Sequence, residues 1–427
     1  MFCRPDDLFR DPQFEKRCFS LLVKVLLKYC ASHSWLHTYF TAGFLLHLRK
    51  WIKRCRAQES RWERLQESLY KELGQREEGI TTTTGYKKLE AALEVFKMGS
   101  DRKYDIAWKI AIGTALVHVA GLYGLYYSLL NAKFVTMFYG HFAFIASGAG
   151  VTVGAHRLFT HRAFKVNQVT RFILMLMFTS SGENNLYVWV RNHRQHHKYS
   201  DTDADPHNIK RGFFFSHVGW LMVRRHPEAR EKSKTVDLSD IENDPIIKFH
   251  RKYYLALYVA TNALFVMIPC LLWNEAFWAS FWCAYVFRTV LVYNVTWSVN
   301  SLAHLYGNRP YNRKIQSVEN KFVSLITCGE GWHNFHHTFP SDYRASEFGR
   351  RYDLSTRIIE WLQRRGYAYD LRDTPQDLVD KWAKKFGDGS PTARKEFQTI
   401  QYRESHDKEC TKDESFASRR QEKSAAA

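Results

Sequence analysis

Residues 106–154 read IAWKIAIGTALVHVAGLYGLYYSLLNAKFVTMFYGHFAFIASGAGVTVG, two apolar stretches, Ile106–Leu130 and Phe134–Gly154, separated by only three residues. Each is long enough to cross a hydrocarbon layer about 30 Å thick, which takes about 20 mostly apolar residues in a helix. A second pair follows at Tyr253–Trp273 and Phe277–Trp297, joined by Asn274–Ala276. Connections this short make each pair a hairpin of antiparallel helices, so each pair enters and leaves on one side. The segment between the pairs, 155–252, holds 17 Lys and Arg, whereas the two connections together hold only Lys133. By the positive-inside bias the middle segment and both termini face the cytoplasm. The bias is weaker for so long a segment, but connectivity alone puts all three on one side. The expected fold class is all-α integral membrane, with four transmembrane helices in two hairpins.

The rest of the 427 residues fit this frame. Aromatic residues make up 15%, with 30 Phe, 23 Tyr and 13 Trp, and apolar residues 45%, which excludes a disordered, collagen-like or small disulfide-rich chain. A net charge of +19 favours an anionic partner surface, and charge alone leaves nucleic acid, anionic lipid and a phosphorylated ligand open. The eight cysteines form no Cys-x-x-Cys pair, which argues for reduced thiols rather than a structural zinc site or a secreted scaffold. Residues 1–103 carry short apolar runs, Leu21–Leu27 and Tyr39–Leu46, followed by the basic cluster Arg49, Lys50, Lys53, Arg54 and Arg56. They read as a basic extension lying on anionic lipid as an amphipathic helix, with a solvated, partly disordered segment as the alternative. A cleaved signal peptide is not expected, since no small-residue cleavage site follows a compact apolar core. The main domain is expected over 104–386 and a disordered tail over 387–427, rich in Lys, Glu, Asp and Ser. Phe172–Phe178 is too short to span and is expected against the membrane face.

Nine of the 19 histidines fall in four clusters: His156 and His161; His193, His196 and His197; His304; and His333, His336 and His337. Residues at i, i+3 and i+4 share a helix face, so the two His-x-x-His-His clusters each aim three imidazoles at one point. Asn300 and His304 stand at i, i+4 beyond the fourth span. His156 and His161 diverge by about 140° on a regular helix, so they address two ions or sit where the helix ends. All nine lie just past the exits of spans two and four, on one side, and can converge. Neutral imidazoles suit Fe, Zn, Cu or Ni, and no carboxylate box accompanies them as it does in carboxylate-bridged di-iron bundles. The scattered histidines, among them His118, His207, His217 and His250, read as ordinary surface or core residues. A zinc transporter would need ionisable ligands within its spans, where the charged and imidazole side chains are Lys109, His118, His141 and Arg288 alone.

HRLFTH at 156–161, HRQHH at 193–197, NSLAH at 300–304 and GEGWHNFHHTFP at 329–340 resemble the histidine boxes of membrane-bound acyl-CoA desaturases of the stearoyl-CoA type, and TDADPHN (202–208), KRGFFFSHVGW (210–220) and YRASEFG (343–349) resemble their connecting text. The resemblance spans about residues 104–390. It implies a cytosolic helical cap over the four spans, a di-iron centre, residence in the endoplasmic reticulum membrane, and a fatty acyl-CoA substrate in a kinked tunnel. Carried over by position, the metal ligands are His156, His161, His193, His196, His197, His304, His333, His336 and His337, with Asn300 holding one iron through water. Asn184, Arg191, Asn192, Arg224 and Arg225 match positions at the CoA end, where phosphates call for cations and hydrogen bonds. Trp189 and Trp297 match positions lining the chain path.

An unactivated methylene has no acidic proton, so an oxidising cofactor must attack it. The resemblance implies two Fe2+ ions acting with O2 and two external electrons to introduce a cis double bond at the ninth position, while the protein holds one C–C bond beside the irons. The only His-Pro, His226-Pro227, lacks the His-Pro-Gly-Gly signature of a fused haem domain. A separate donor, cytochrome b5, is therefore implied beside membrane lipid, with no role for nucleic acid. The chain departs from the family's usual text at Glu183-Asn184-Asn185, Val188 and Asn192, beside the substrate entrance and away from every metal ligand. The alternatives are a fatty-acyl or lipid hydroxylase on the same scaffold and a catalytically silent lipid-binding membrane protein.

Overall fold

The computed structural model describes residues 105–347, 353–395 and 398–399. The expected interfacial extension at 1–103 lies outside them, as does most of the expected tail.

The first apolar pair forms α1 (Trp108–Asn131) and α2 (Phe134–Ala149). Leu116, Leu122, Leu129, Phe134, Phe138 and Phe142 stay exposed along them, while Gly121, Gly124, Gly140 and Ala143 face the bundle. Small residues turned inward and large apolar ones outward suit helices packed closely and surrounded by hydrocarbon. Beyond Ala149 the helix continues in π-helical form over Gly150–Thr160, every residue buried. α3 (Gln168–Ser181) contains the short apolar run and packs on that extension. Leu174, Met175 and Phe178 are buried, and Ile173 is exposed.

α4 (Leu186–Tyr199) carries HRQHH, and the side chain of Asn185 accepts from Val188 N at 3.0 Å to start it. Short helices at Pro227–Ser233 and Ser239–Glu242 lead to α5 (Pro245–Trp273). Asp244 caps α5 by accepting from Ile246 N and Ile247 N, with Pro245 in the first turn, where its missing N–H costs nothing.

Among the described residues three helices are long and apolar enough to cross a membrane: Trp108–Asn131, Phe134–Thr160 and Pro245–Trp273. The fourth expected stretch is helical throughout but changes form twice, as Phe277–Ser280, a π-helical Phe281–Phe287, and α6 (Arg288–Leu305). No single regular helix there is both long and apolar enough. Arg288, within this stretch, is buried and donates to Ala284 O, Ser147 Oγ, Ser180 O and Asn262, which supplies the partners its charge requires.

The two short connections meet. Lys133 Nζ donates to Trp273 O and Asn274 O, and buried Glu275 accepts from Lys133 N, Thr136 Oγ1 and Ala276 N. The remaining chain adds α7 (His333–Thr338), α8 (Leu354–Arg364) and α9 (Gln376–Phe386). A two-residue antiparallel pair, Lys165–Val166 with Ala368–Tyr369, ties the segment after α8 to the loop after the π-helical turn. Tertiary contacts continue past residue 387, where a disordered tail is expected from the sequence. Asp388 accepts from Arg309 N, Arg394 N donates to Glu347, and Thr392 is buried.

Candidate metal centre

The nine clustered histidines converge into two groups. One holds His156, His161, His193, His197 and His336, the other His196, His304, His333 and His337. Each His-x-x-His-His cluster is therefore divided between the groups rather than aimed at one point. On α4 the i, i+4 pair His193 and His197 serves the first group and His196 the second; on α7 His333 and His337 serve the second and His336 the first.

His156 and His161 lie in the same group, against the divergence a regular helix imposes. The reason is the π-helical turn: His161 N donates to His156 O, an i to i+5 bond that brings the residue five positions on almost back over the first. His161 also caps the end of that helix.

In the first group Nε2 to Nε2 separations are 2.9 Å for His156–His336, 3.0 Å for His336–His197, 3.1 Å for His197–His193 and 3.2 Å for His193–His161. In the second they are 3.2 Å for His196–His337 and 3.0 Å for His337–His333. A ring nitrogen has either one proton or one lone pair in its plane, so Nε2 of His336, His197, His193 or His337 cannot satisfy two neighbours by hydrogen bonding. A shared cation can: ligands at about 2.1 Å, set at right angles around one ion, are about 3.0 Å apart. The donor set and its spacing fit a metal ion in each group.

Carboxylates behind the rings fix which nitrogen faces the centre. Glu330 lies 2.8 Å from His156 Nδ1, Asp205 2.9 Å from His196 Nδ1 and Asp201 3.4 Å from His304 Nδ1. A proton held on Nδ1 leaves the Nε2 lone pair for a metal. Burial, then the neighbouring imidazoles, lowers the pKa of His193, His197, His333, His336 and His337 well below the usual range, and His161 likewise. These rings are neutral and available as ligands. Burial acts against the Glu330 carboxylate, but Arg157 and His156 outweigh it and bring its pKa down to about 2. Arg157, buried, donates to Glu330 at 2.9 Å and to Asp353 at 3.2 Å.

Glu330, Asp205, Asp201 and His207 are supports that the histidine pattern alone does not reveal. His207, expected to be an ordinary core residue, has its ring centroid 4.2 Å from that of His196 and shares Asp205 with it. The other scattered histidines near the bundle do serve ordinary bonds: His217 reaches Ser301 and Asn294, Asn294 reaches His118, and His250 bonds Thr179 and Leu186 N.

Two cavities adjoin the groups. A small apolar one is lined by Phe144, Val151, Val292, Val299, His156 and His193. A larger one, of about 730 Å³, reaches Asn184, Trp189, Asn192, Arg225, Trp297 and His193. Asn300 lines both, one helical turn before His304. Trp189 stacks on His193 with centroids 5.0 Å apart. Of the residues expected at the CoA end, Arg225 donates to Asn192 Oδ1 at 2.6 Å, and Arg191 lies 3.5 Å from the same oxygen. Exposed Arg224 instead pairs with Asp105 at 3.1 Å and does not line the cavity.

Residues 129–352 match the fatty acid desaturase family model. An acyl-CoA Delta-9 desaturase of Acheta domesticus is 45% identical over 70% of this chain and 84% of its own length. An acyl-CoA Delta(11) desaturase of Spodoptera littoralis is 41% identical over 73% and 92%, and stearoyl-CoA desaturase 5 of Bos taurus is 41% identical over 67% and 86%.

Proposed function

Because this chain belongs to the fatty acid desaturase family, as an oxidoreductase of the acyl-CoA desaturase type, we propose that it introduces a cis double bond into a saturated fatty acyl-CoA at a di-iron centre held by its nine clustered histidines. The observation that carries the reading is the pair of imidazole groups, each spaced for one ion and opening onto an apolar cavity. His156, His161, His193, His197 and His336 hold one iron; His196, His304, His333 and His337 hold the other, with Asn300 reaching it through water. Bound iron supplies, with O2, the oxidising power that no side chain possesses. Glu330, Asp205 and Asp201 hold the proton on Nδ1 and orient the rings, leaving Nε2 for the metal. Val151, Val292 and Val299 exclude water from the chain, Trp189 and Trp297 line its path, and Asn192, Arg191 and Arg225 meet the CoA phosphates.

The spans at Trp108–Asn131, Phe134–Thr160 and Pro245–Trp273 are joined by a fourth at 277–297, which the bonds between the two connections support. The histidines then face the cytosol from the endoplasmic reticulum membrane, within reach of cytochrome b5 as donor. Delta-9 is the position favoured, while the named relatives act at both Delta-9 and Delta(11) positions. With purified chain, stearoyl-CoA, O2 and reduced cytochrome b5, two donor oxidations per double bond formed are expected. A hydroxylated acyl product, or donor oxidation without product, contradicts the reading.

A further inference from the structure

Glu183 sits in the loop between α3 and α4, where the chain takes two left-handed residues, Gly182 (φ 79°) and Asn184 (φ 78°), on either side of it. A Cβ at Gly182 would lie 2.5 Å from the Tyr293 hydroxyl, which donates to Gly182 O at 3.1 Å. This turn has little freedom, so the direction of the Glu183 side chain is set by the backbone. The carboxyl lines the larger cavity, beside Trp189 and Trp297. Its Oε1 is buried without a hydrogen-bond partner, and the two indoles Trp189 and Trp297 line the same cavity. Each indole is itself packed: Trp189 stacks on His193, and Trp297 stacks on Tyr293 with centroids 5.2 Å apart and planes 8° from parallel.

A carboxylate in such a place is costly, because an apolar chain beside it offers no compensation. The titratable and charged groups around it are Tyr254 on α5, Tyr293 on α6, His118 on α1, His193 on α4, and His207 and Arg225 from the segment between α4 and α5. Arg225 is the cation among them, and it is committed to Asn192.

We propose that Glu183 works as a neutral carboxylic acid in the wall of the acyl-binding cavity, beside Trp189 and Trp297, so that losing its proton weakens binding of a long acyl chain. The inference rests on the acyl-CoA reading above and names a residue of the cavity wall within it. Burial pushes this carboxyl up to about 8, and the two indoles only partly oppose the rise. Arg225, brought down to about 10 by burial and by Arg191, keeps its charge across the same interval. A group titrating near 8 weakens binding about tenfold between pH 7 and pH 9 when only its neutral form is competent.

The test is the affinity of the full-length chain in detergent for stearoyl-CoA at pH 7 and pH 9, for the native protein and for Glu183→Gln. An approximately tenfold loss in the native chain that is absent in Glu183→Gln is expected. An equal loss in both, or no loss in either, overturns the inference while leaving the acyl-CoA reading intact. Absence of binding at both pH values in both proteins overturns that reading and the inference with it. Should Glu183→Gln not accumulate, the infrared band of a protonated carboxylic acid in the native chain decides: its loss between pH 7 and pH 9 on stearoyl-CoA-free protein is expected, and an unchanged band contradicts a titrating Glu183.

Discussion

Glu330 has two partners of different kinds, the buried Arg157 guanidinium at 2.9 Å and His156 Nδ1 at 2.8 Å. Replacing it with Gln removes the charge opposite Arg157 and leaves one acceptor oxygen where Arg157 and His156 use two. Glu330→Gln should lower metal affinity about 10- to 100-fold and destabilise the chain by about 3–5 kcal/mol, the cost of breaking a buried ion pair, measured by metal titration and denaturant unfolding. The pH dependence has a definite sign. The Glu330 pKa falls from 4.5 to about 2 on folding, so its contribution is fully present above about pH 4.5 and is lost as pH falls toward 2. Asp353 is raised from 3.8 to about 6, chiefly by burial, so its contribution is present below about pH 3.8 and is lost as pH rises through 6. In the metal-free chain Tm should therefore drop from pH 4.5 downward, and Glu330→Gln should flatten that drop.

At the scale of elements, the π-helical segment Gly150–Thr160 decides the geometry of the first metal group. It packs on α3 so closely that a Cβ at Gly150 would lie 2.2 Å from Phe178 N and 2.3 Å from Met177 C, both backbone atoms that cannot yield as a side chain would. Gly150→Ala should force the two helices apart and cost about 1–3 kcal/mol, seen as a lower Tm. The same segment shows where the sequence is readable and where it is not. Apolar length marks the spans, and i, i+3, i+4 spacing marks the histidine clusters, because both follow from regular helix geometry. Nothing in HRLFTH announces an i to i+5 bond, so the meeting of His156 and His161 emerges only in three dimensions. The division of HRQHH and HNFHH between two histidine groups escapes for a similar reason: sharing a face of one helix does not say how many groups that face joins. Asp205 and Glu330 lie near the boxes in sequence, yet a carboxylate behind a ring has no periodicity to mark it. The order of residues 387–395 rests on tertiary bonds to Arg309 and Glu347, which local composition does not register.

At the scale of the whole molecule, an apolar scaffold holds a histidine-rich centre beside a cavity of about 730 Å³. The exposed apolar residues of α1, α2 and α5 suit surrounding hydrocarbon, and the basic groups Arg191 and Arg225 suit a phosphorylated headgroup. What joins these parts is the claim that the chain desaturates a fatty acyl-CoA. The measurement that tests it most directly is the fatty-acid profile, with double-bond localisation, of a yeast lacking its own desaturase and expressing this chain or its His336→Ala variant. The account predicts a new monounsaturated acid from the native chain, absent in His336→Ala although both insert in the membrane. A hydroxy acid, no product from well-inserted protein, or a monoene that persists in His336→Ala would contradict it.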